Sequence, residues 1–172
     1  MISMIFETAR LWVRRYDIDD AEDFYRLNSD AAVMKYIRTP KTRQQAFQFL
    51  QENVDYYKDF PSYGRWALME KSDQQFIGSF MLRPSAVVQD KMELGYAMFT
   101  QFWGKGYATE AVNGGLGYAF RDLRLPDVIA ITQNENISSQ KVLLKCGFTR
   151  SENINDHGRT VSFFSIQNIF HG

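Results

Sequence analysis

The chain has a single cysteine, Cys146, among 172 residues. An internal disulfide needs two cysteines and the usual zinc constellations need several ligands of the Cys/His type, so neither is expected, and no metal site is read from the sequence. A charge excess of either sign is also missing: 20 Lys+Arg balance 20 Asp+Glu. Proteins that grip nucleic acid through its phosphates carry a basic surplus, which removes nucleic acid from the expected partners. No apolar stretch approaches the ~18–20 residues of a membrane-spanning helix. The N-terminus, Met1-Ile2-Ser3-Met4-Ile5-Phe6-Glu7, has no basic region leading into a long apolar run, so no signal peptide is expected. No membrane partner follows, and the expected location is cytoplasmic. Repeats, low-complexity tracts and Pro/Gly/Ser linkers are absent too, leaving one domain, residues 1–172, as the expected organisation.

What is present is a globular composition, 45% hydrophobic and 15% aromatic. A strand is expected over residues 11–15. Asp19 or Asp20 is placed to cap a helix running to Leu27, and a shorter helix follows over 31–36. Thr42 and Gln45 have the capping-box spacing, and the helix they open gathers Ala46, Phe49, Leu50, Asn53, Val54 and Tyr57 on one side. Residues 65–70, 75–82 and 92–98 read as strands, the first two joined by a hairpin turn at 71–74. Further on, Ala108, Ala111, Val112, Gly115, Leu116, Ala119 and Phe120 keep helical spacing. Gly114, Gly115 and Gly117 each cost that helix roughly 1 kcal/mol against Ala, a loss that close helix-on-sheet packing would offset. A strand at 128–132, a helix at 137–145 ending before Gly147, and strands at 148–151 and 160–166 complete the chain.

Chemistry concentrates in three places. The first is Gln101-Phe102-Trp103-Gly104-Lys105-Gly106-Tyr107-Ala108-Thr109-Glu110-Ala111, where two glycines flank a lysine between a strand and a helix. Glycines there permit close approach of a ligand to the backbone, and the free N–H groups and dipole of a helix start favour phosphate oxygens. The run lacks the Walker spacing, and with Thr109 at the third glycine position it is a poor dinucleotide fingerprint. A plain strand-to-helix connector is the competing reading.

The second is Asn136-Ile137-Ser138-Ser139, followed by Lys145-Cys146-Gly147-Phe148; a plain helix N-cap role for Asn136 is the competing reading. The third is Glu93, which shares one strand face with Gly95 and Ala97, opposite Met92, Leu94, Tyr96 and Met98. A carboxylate so placed, just ahead of the glycine turn, suits a general base working through water; a solvated edge glutamate is the alternative.

Taken together, these motifs resemble the GNAT acetyltransferase superfamily, most closely its ribosomal-protein alanine/serine N-acetyltransferase-like branch. Glu7-Thr8-Ala9-Arg10-Leu11-Trp12-Val13-Arg14 and Met92-Glu93-Leu94-Gly95-Tyr96 extend the likeness over nearly the whole chain. Ala9 stands where Glu is frequent in that branch, and Cys146 where leucine is commoner.

The resemblance implies a mixed α+β fold. Its central, mostly antiparallel sheet has six to seven strands flanked by helices, and a splayed strand pair holds acetyl-CoA. It implies that backbone near Met98 pairs with the pantetheine arm. Gln101, Trp103, Gly104, Lys105, Gly106, Tyr107, Ala108 and Thr109 would form the pyrophosphate loop, with Lys141 or Lys145 adding charge. Asn136 would hold the pantetheine or an ordered water, and Ser139 would protonate the departing thiolate, since residues 137–145 contain no tyrosine.

Direct acetyl transfer to an amine is the implied reaction, with a protein N-terminus or a small molecule as acceptor. A non-catalytic acyl-CoA-binding domain is the alternative, and a nucleotide-binding module a third reading. Cys146 admits an acyl-cysteine route, against a packing role. His157 is an outside candidate at the acceptor side, against a turn role, and His171 has none. Aromatics at 56–60 or 162–164 would serve a homodimer if the chain is not a monomer.

Overall fold

Short turns tie consecutive strands together, so the first half of the sheet assembles in sequence order. The computed structural model describes residues 3–169. In it β1 (Met4–Glu7), β2 (Leu11–Arg15), β3 (Gly64–Glu70), β4 (Gln75–Pro84) and β5 (Met92–Met98) pair antiparallel, each with its predecessor. β6 (Asp127–Gln133) joins β5 in parallel, and β9 (Arg159–Gln167) lies antiparallel on β6. Two short strands, β7 (Thr149–Arg150) and β8 (Ile154–Asp156), both pair with β9.

The sheet of the described residues therefore has nine strands, not six or seven. The surplus comes from pieces with weak sequence signals. β1 has four residues, only its middle two partly buried. β8 is Ile-Asn-Asp, of low strand propensity; its hairpin with β9 forms because His157 and Gly158 both take positive φ, 48° and 87°. Two such residues make the turn type whose twist suits a two-residue hairpin. The polar segment at 153–158, expected as a loop, is thus mostly a hairpin arm.

Helices cover both faces. α1 (Ala21–Ser29) has Asp20 at its N-cap position, as expected, but without a side-chain capping bond; the capping bonds belong to the 3₁₀ turn before it, Ile18–Asp20, whose N-cap is Asp17. Asp17 accepts from the Asp19 N–H at 3.1 Å while the Asp20 carboxylate accepts from the Asp17 N–H at 2.8 Å, a reciprocal arrangement one turn earlier than expected. α2 (Ala31–Met34) is capped by Asp30 and stops two residues short of Tyr36. α3 (Arg43–Asp59) opens with the expected Thr42–Gln45 capping box. α4 (Tyr107–Gly117) runs on into a π-helical turn, Tyr118–Asp122. α5 (Ile137–Lys145) ends at Gly147, φ +93°, with Phe148 N–H donating to the Leu143 carbonyl and Gly147 N–H to that of Leu144. That pair of bonds is the Schellman closure.

Alternation along β3 shows why the strands read as continuous apolar runs. Trp66 and Leu68 enter the core under α4 and α5, while Ala67 between them enters the core under α1 and α3. A sheet covered on both sides has no polar face. Of the aromatics expected to serve a homodimer, Tyr57 and Phe164 are buried in these cores, Tyr56 and Phe163 are partly buried, and Phe60 is exposed.

One irregularity positions everything that follows. Between parallel β5 and β6 the ladder holds a single register pair, Glu93 with Ile129. From Leu94 onward β5 has no ladder partner on that side, so the sheet splits there.

Candidate active site

The glycine turn sits at the end of β5, beyond the split. Gly104 and Gly106 take φ of +70° and +81°, a region that side chains disfavour. Gly106 is the N-cap of α4 and offers no side chain to the first turn. A Cβ built on Gly104 would meet no atom within 4 Å, so the cradle opens outward.

Arg10 holds this turn in shape. Its Nη1 donates to the Lys105 carbonyl at 3.0 Å, and its guanidinium lies 4.2 Å from the Tyr107 ring centroid. Its Nε donates to Glu110 at 2.6 Å, and Glu110 also accepts from Thr8 Oγ1 at 2.6 Å and the Arg10 N–H at 2.7 Å. Burial opposes the charge on Glu110, but these bonds from Thr8 and Arg10 outweigh it and hold the carboxyl below its ordinary range. Sequence reading assigned neither Arg10 nor Glu110 a role, because the partners lie far apart in the chain.

Around the turn, Gln101, Trp103, Lys105 and, on α5, Lys141 are exposed, while Tyr107, Ala108 and Thr109 are partly buried. Trp103 Nε1 donates to the Met98 carbonyl at 2.9 Å, so that carbonyl has a partner within the chain. The arrangement fits a pyrophosphate: a helix start without a side-chain cap, left-handed glycines and the exposed Lys105 between them.

Along the open edge of β5 runs a cavity of about 270 Å³. Five consecutive residues, 93–97, line it, which is possible only for a space that follows the strand edge rather than one sheet face. Glu93 projects into it, partly buried rather than solvated, and Oε2 accepts from Ser85 Oγ at 2.7 Å. Burial pushes the Glu93 pKa up; the Ser85 hydrogen bond works the other way, and the nearby Asp156 charge adds to the rise.

From α5, Asn136 and Ser139 reach the same cavity. Asn136 Oδ1 accepts from the Ser139 N–H at 3.2 Å, which is the N-cap role. Ser139 Oγ lies 3.1 Å from the Tyr96 hydroxyl. Sequence reading sought a tyrosine only within the helix and put Tyr96 on the strand face away from Glu93. The split sheet brings both to one space. Burial pushes the Tyr96 phenol up to about 12.

Cys146 packs between helices, its Sγ 3.7 Å from the Thr109 carbonyl, and burial pushes the thiol up, away from thiolate character. His157 occupies the β8–β9 turn, exposed and 2.7 Å from Asp156 Oδ1; its neighbour Asp156 lines the cavity. Arg38 and Arg65 line it as well, and sequence reading named neither. His171 lies outside the described residues.

Residues 10–149 match the model of the acetyltransferase (GNAT) domain. The FsC-acetyl coenzyme A-N(2)-transacetylase of Aspergillus fumigatus is 30% identical over 154 residues, covering 84% of this chain and 65% of the relative, so the chain spans just under two thirds of that protein. A GNAT-family acetyltransferase from Bacillus anthracis superposes with a TM-score of 0.82 at 23% identity, covering 98% of this chain and 99% of that one. The ribosomal-protein-S5-alanine acetyltransferase of Vibrio fischeri follows at 0.79 and 19%, covering 97% and 98%. With the fold, the split sheet and the glycine cradle in agreement with a family model that spans most of its length, the chain belongs to the GNAT acetyltransferase family.

Proposed function

We propose that this chain moves an acetyl group from acetyl-CoA directly to a primary amine, on a protein N-terminus or a small molecule. The observation that carries the reading is the convergence on one cavity of Glu93 with the Ser139–Tyr96 hydroxyl pair, along the strand that leads to the glycine turn. Acetyl-CoA supplies the activated thioester, whose C–S bond breaks as the C–N bond forms, the electron pair leaving on sulfur.

The residues divide that work. The turn from Gln101 to Thr109 holds the pyrophosphate, with Lys105 and Lys141 at its rim, and Asn136 sets the first turn of α5 so that Ser139 faces the cavity. Glu93, directly or through water, takes the proton the amine must lose, and burial suits it by raising its basicity. Ser139 holds a proton at Oγ for the departing sulfur. A serine alone is a weak acid; the Tyr96 hydroxyl, donating to Oγ, leaves the serine proton free to point at the sulfur and stabilises the charge left behind. Cys146 takes no part.

The experiment is an acceptor screen with acetyl-CoA, reading free thiol and confirming product by intact mass. Acetylated product from an amine is the expected result. CoA binding with no turnover on any acceptor would overturn the reading in favour of an acyl-CoA-binding domain.

A further inference from the structure

The cavity holds two arginines that no direct ion pair in the described chain engages. Arg38 and Arg65 both line it, together with Glu93 and Ser139. Their guanidinium carbons lie 5.0 and 5.3 Å from the centroid of one ring, Phe49. Arg38 donates to Asn28 Oδ1 at 3.0 Å. The Arg65 side chain donates only to the Met81 sulfur, at 3.4 Å, a weak acceptor. Its Nε is sealed from solvent and has no partner. Neither arginine belongs to an ion pair among the described residues.

This is a costly arrangement for a fold to keep. Burial, with the like charges of Arg38 and Arg83, presses Arg65 down to about 9. The cost is not an accident of a mobile side chain, because β3 presents Arg65 from a fixed backbone. The Tyr57 hydroxyl donates to the Arg65 carbonyl and itself accepts from the Tyr16 N–H at 3.1 Å. A guanidinium so held, with donors unspent, matches a carboxylate in planar, two-point fashion. Another unpartnered polar atom, Thr132 Oγ1, belongs to a residue lining the same cavity.

The cavity is therefore two-signed. Glu93 and Asp156 supply carboxylates where an ammonium would arrive, and Arg159, from β9, also lines it. Glu93 takes its hydrogen bond from Ser85 and feels the Arg65 charge only at a distance, so the donors of the two partly buried arginines remain available. We infer that the acceptor is an amine that also bears a carboxylate, with its acid on Arg38 and Arg65 and its nitrogen toward Glu93. This inference rests on the amine-acetylation reading above and narrows its substrate class. A free amino acid and an acidic residue near a peptide N-terminus share this chemistry.

The test compares each common amino acid with its own carboxamide, and short peptides carrying Asp with the same peptides carrying Asn, by thiol release and product mass. Acids are expected to exceed their amides at least tenfold in kcat/KM, in the free series or the peptide series. Equal rates, or faster amides, would overturn the inference while leaving acetyl transfer standing.

A second measurement needs no turnover: melting temperature with the same acids and amides and no donor present. Stabilisation by acids but not amides, lost in Arg65→Met, is expected; no shift with any acid in the wild type would overturn the inference. Unliganded Arg65→Met should melt above the wild type, since it replaces a guanidinium without an ion-pair partner by a shorter apolar chain. Melting below the wild type would assign Arg65 a structural role and overturn the inference as well.

Discussion

The hydroxyl of Tyr96, on β5, lies 3.1 Å from Oγ of Ser139, in the first turn of α5, and so joins the two sides of the split in the sheet. With its pKa pushed up to about 12 by burial, the phenol stays protonated in neutral solution and keeps a proton to donate to Ser139. Tyr96→Phe keeps the ring and removes the bond. Its kcat is expected to fall by roughly tenfold or more, while Ser139→Ala loses about a hundredfold, the low end of general-acid contributions. KM for acetyl-CoA should change little in either variant, because neither group belongs to the phosphate cradle. The double variant should be no worse than Ser139→Ala, since the two hydroxyls act as one unit. Steady-state kinetics decide it: an unchanged rate in Ser139→Ala would mean that water protonates the thiolate.

Glu93 makes a prediction whose sign follows from burial. Its folded pKa lies above that of an exposed glutamate, so catalysis by the carboxylate should rise with pH through a midpoint displaced upward from that of an exposed glutamate. Ser85 favours the ionised form. Ser85→Ala should therefore move the acidic limb of kcat to higher pH, and an unmoved limb would detach Glu93 from it. Stability changes in the matching direction. A carboxylate whose folded pKa is raised costs the fold nothing below its unfolded pKa, and the cost grows as pH rises through the folded value. Glu93→Gln should melt above the wild type at neutral pH, with the gap closing in acid.

Gly104 separates binding from folding. Its φ of +70° makes any side chain strained, by about 1–2 kcal/mol, yet a Cβ there would touch no atom of the protein within 4 Å. Gly104→Val should stay folded, melting a few degrees lower, and lose CoA affinity by more than tenfold, read by titration calorimetry. Wild-type affinity in that variant would remove the loop from the phosphate site.

Much of this was legible because the signals were local. β3, β5 and α5 lie within a residue of where alternation, helical spacing and Gly147 put them, and the Thr42–Gln45 box forms as spaced. The cradle was legible because φ above zero demands glycine. What escaped was whatever depends on long-range contact. Arg10 meets Glu110 and Lys105 across the fold, Tyr96 meets Ser139 through a gap in the sheet, and Arg38 meets Arg65 through Phe49. No periodicity records such pairs. The Asp17 cap was missed for the opposite reason: four acids in the run Asp17-Ile18-Asp19-Asp20 with Glu22 offer several local solutions, and sequence does not rank them.

The glycines of α4 give predictions of opposite sign. Both Gly115→Ala and Gly117→Ala gain helix propensity of about 1 kcal/mol. At Gly115 the new Cβ would stand 2.2 Å from Cζ of Phe80. Phe80 has no exposed surface, stacks on Trp66 with 6.4 Å between ring centroids, and meets the edge of Phe6 at 5.5 Å. The ring cannot yield without moving β3 or β1, and overpacking of that kind costs about 1–3 kcal/mol. At Gly117 the Cβ would stand 2.7 Å from Nη2 of Arg121, the far end of an exposed side chain free to swing away. Propensity should therefore win at Gly117 and lose at Gly115. Urea unfolding should put Gly117→Ala above the wild type by up to about 1 kcal/mol and Gly115→Ala below it by up to about 2 kcal/mol. Stabilisation by both would mean that Phe80 has room to move, and that the helix does not depend on glycine to reach the sheet.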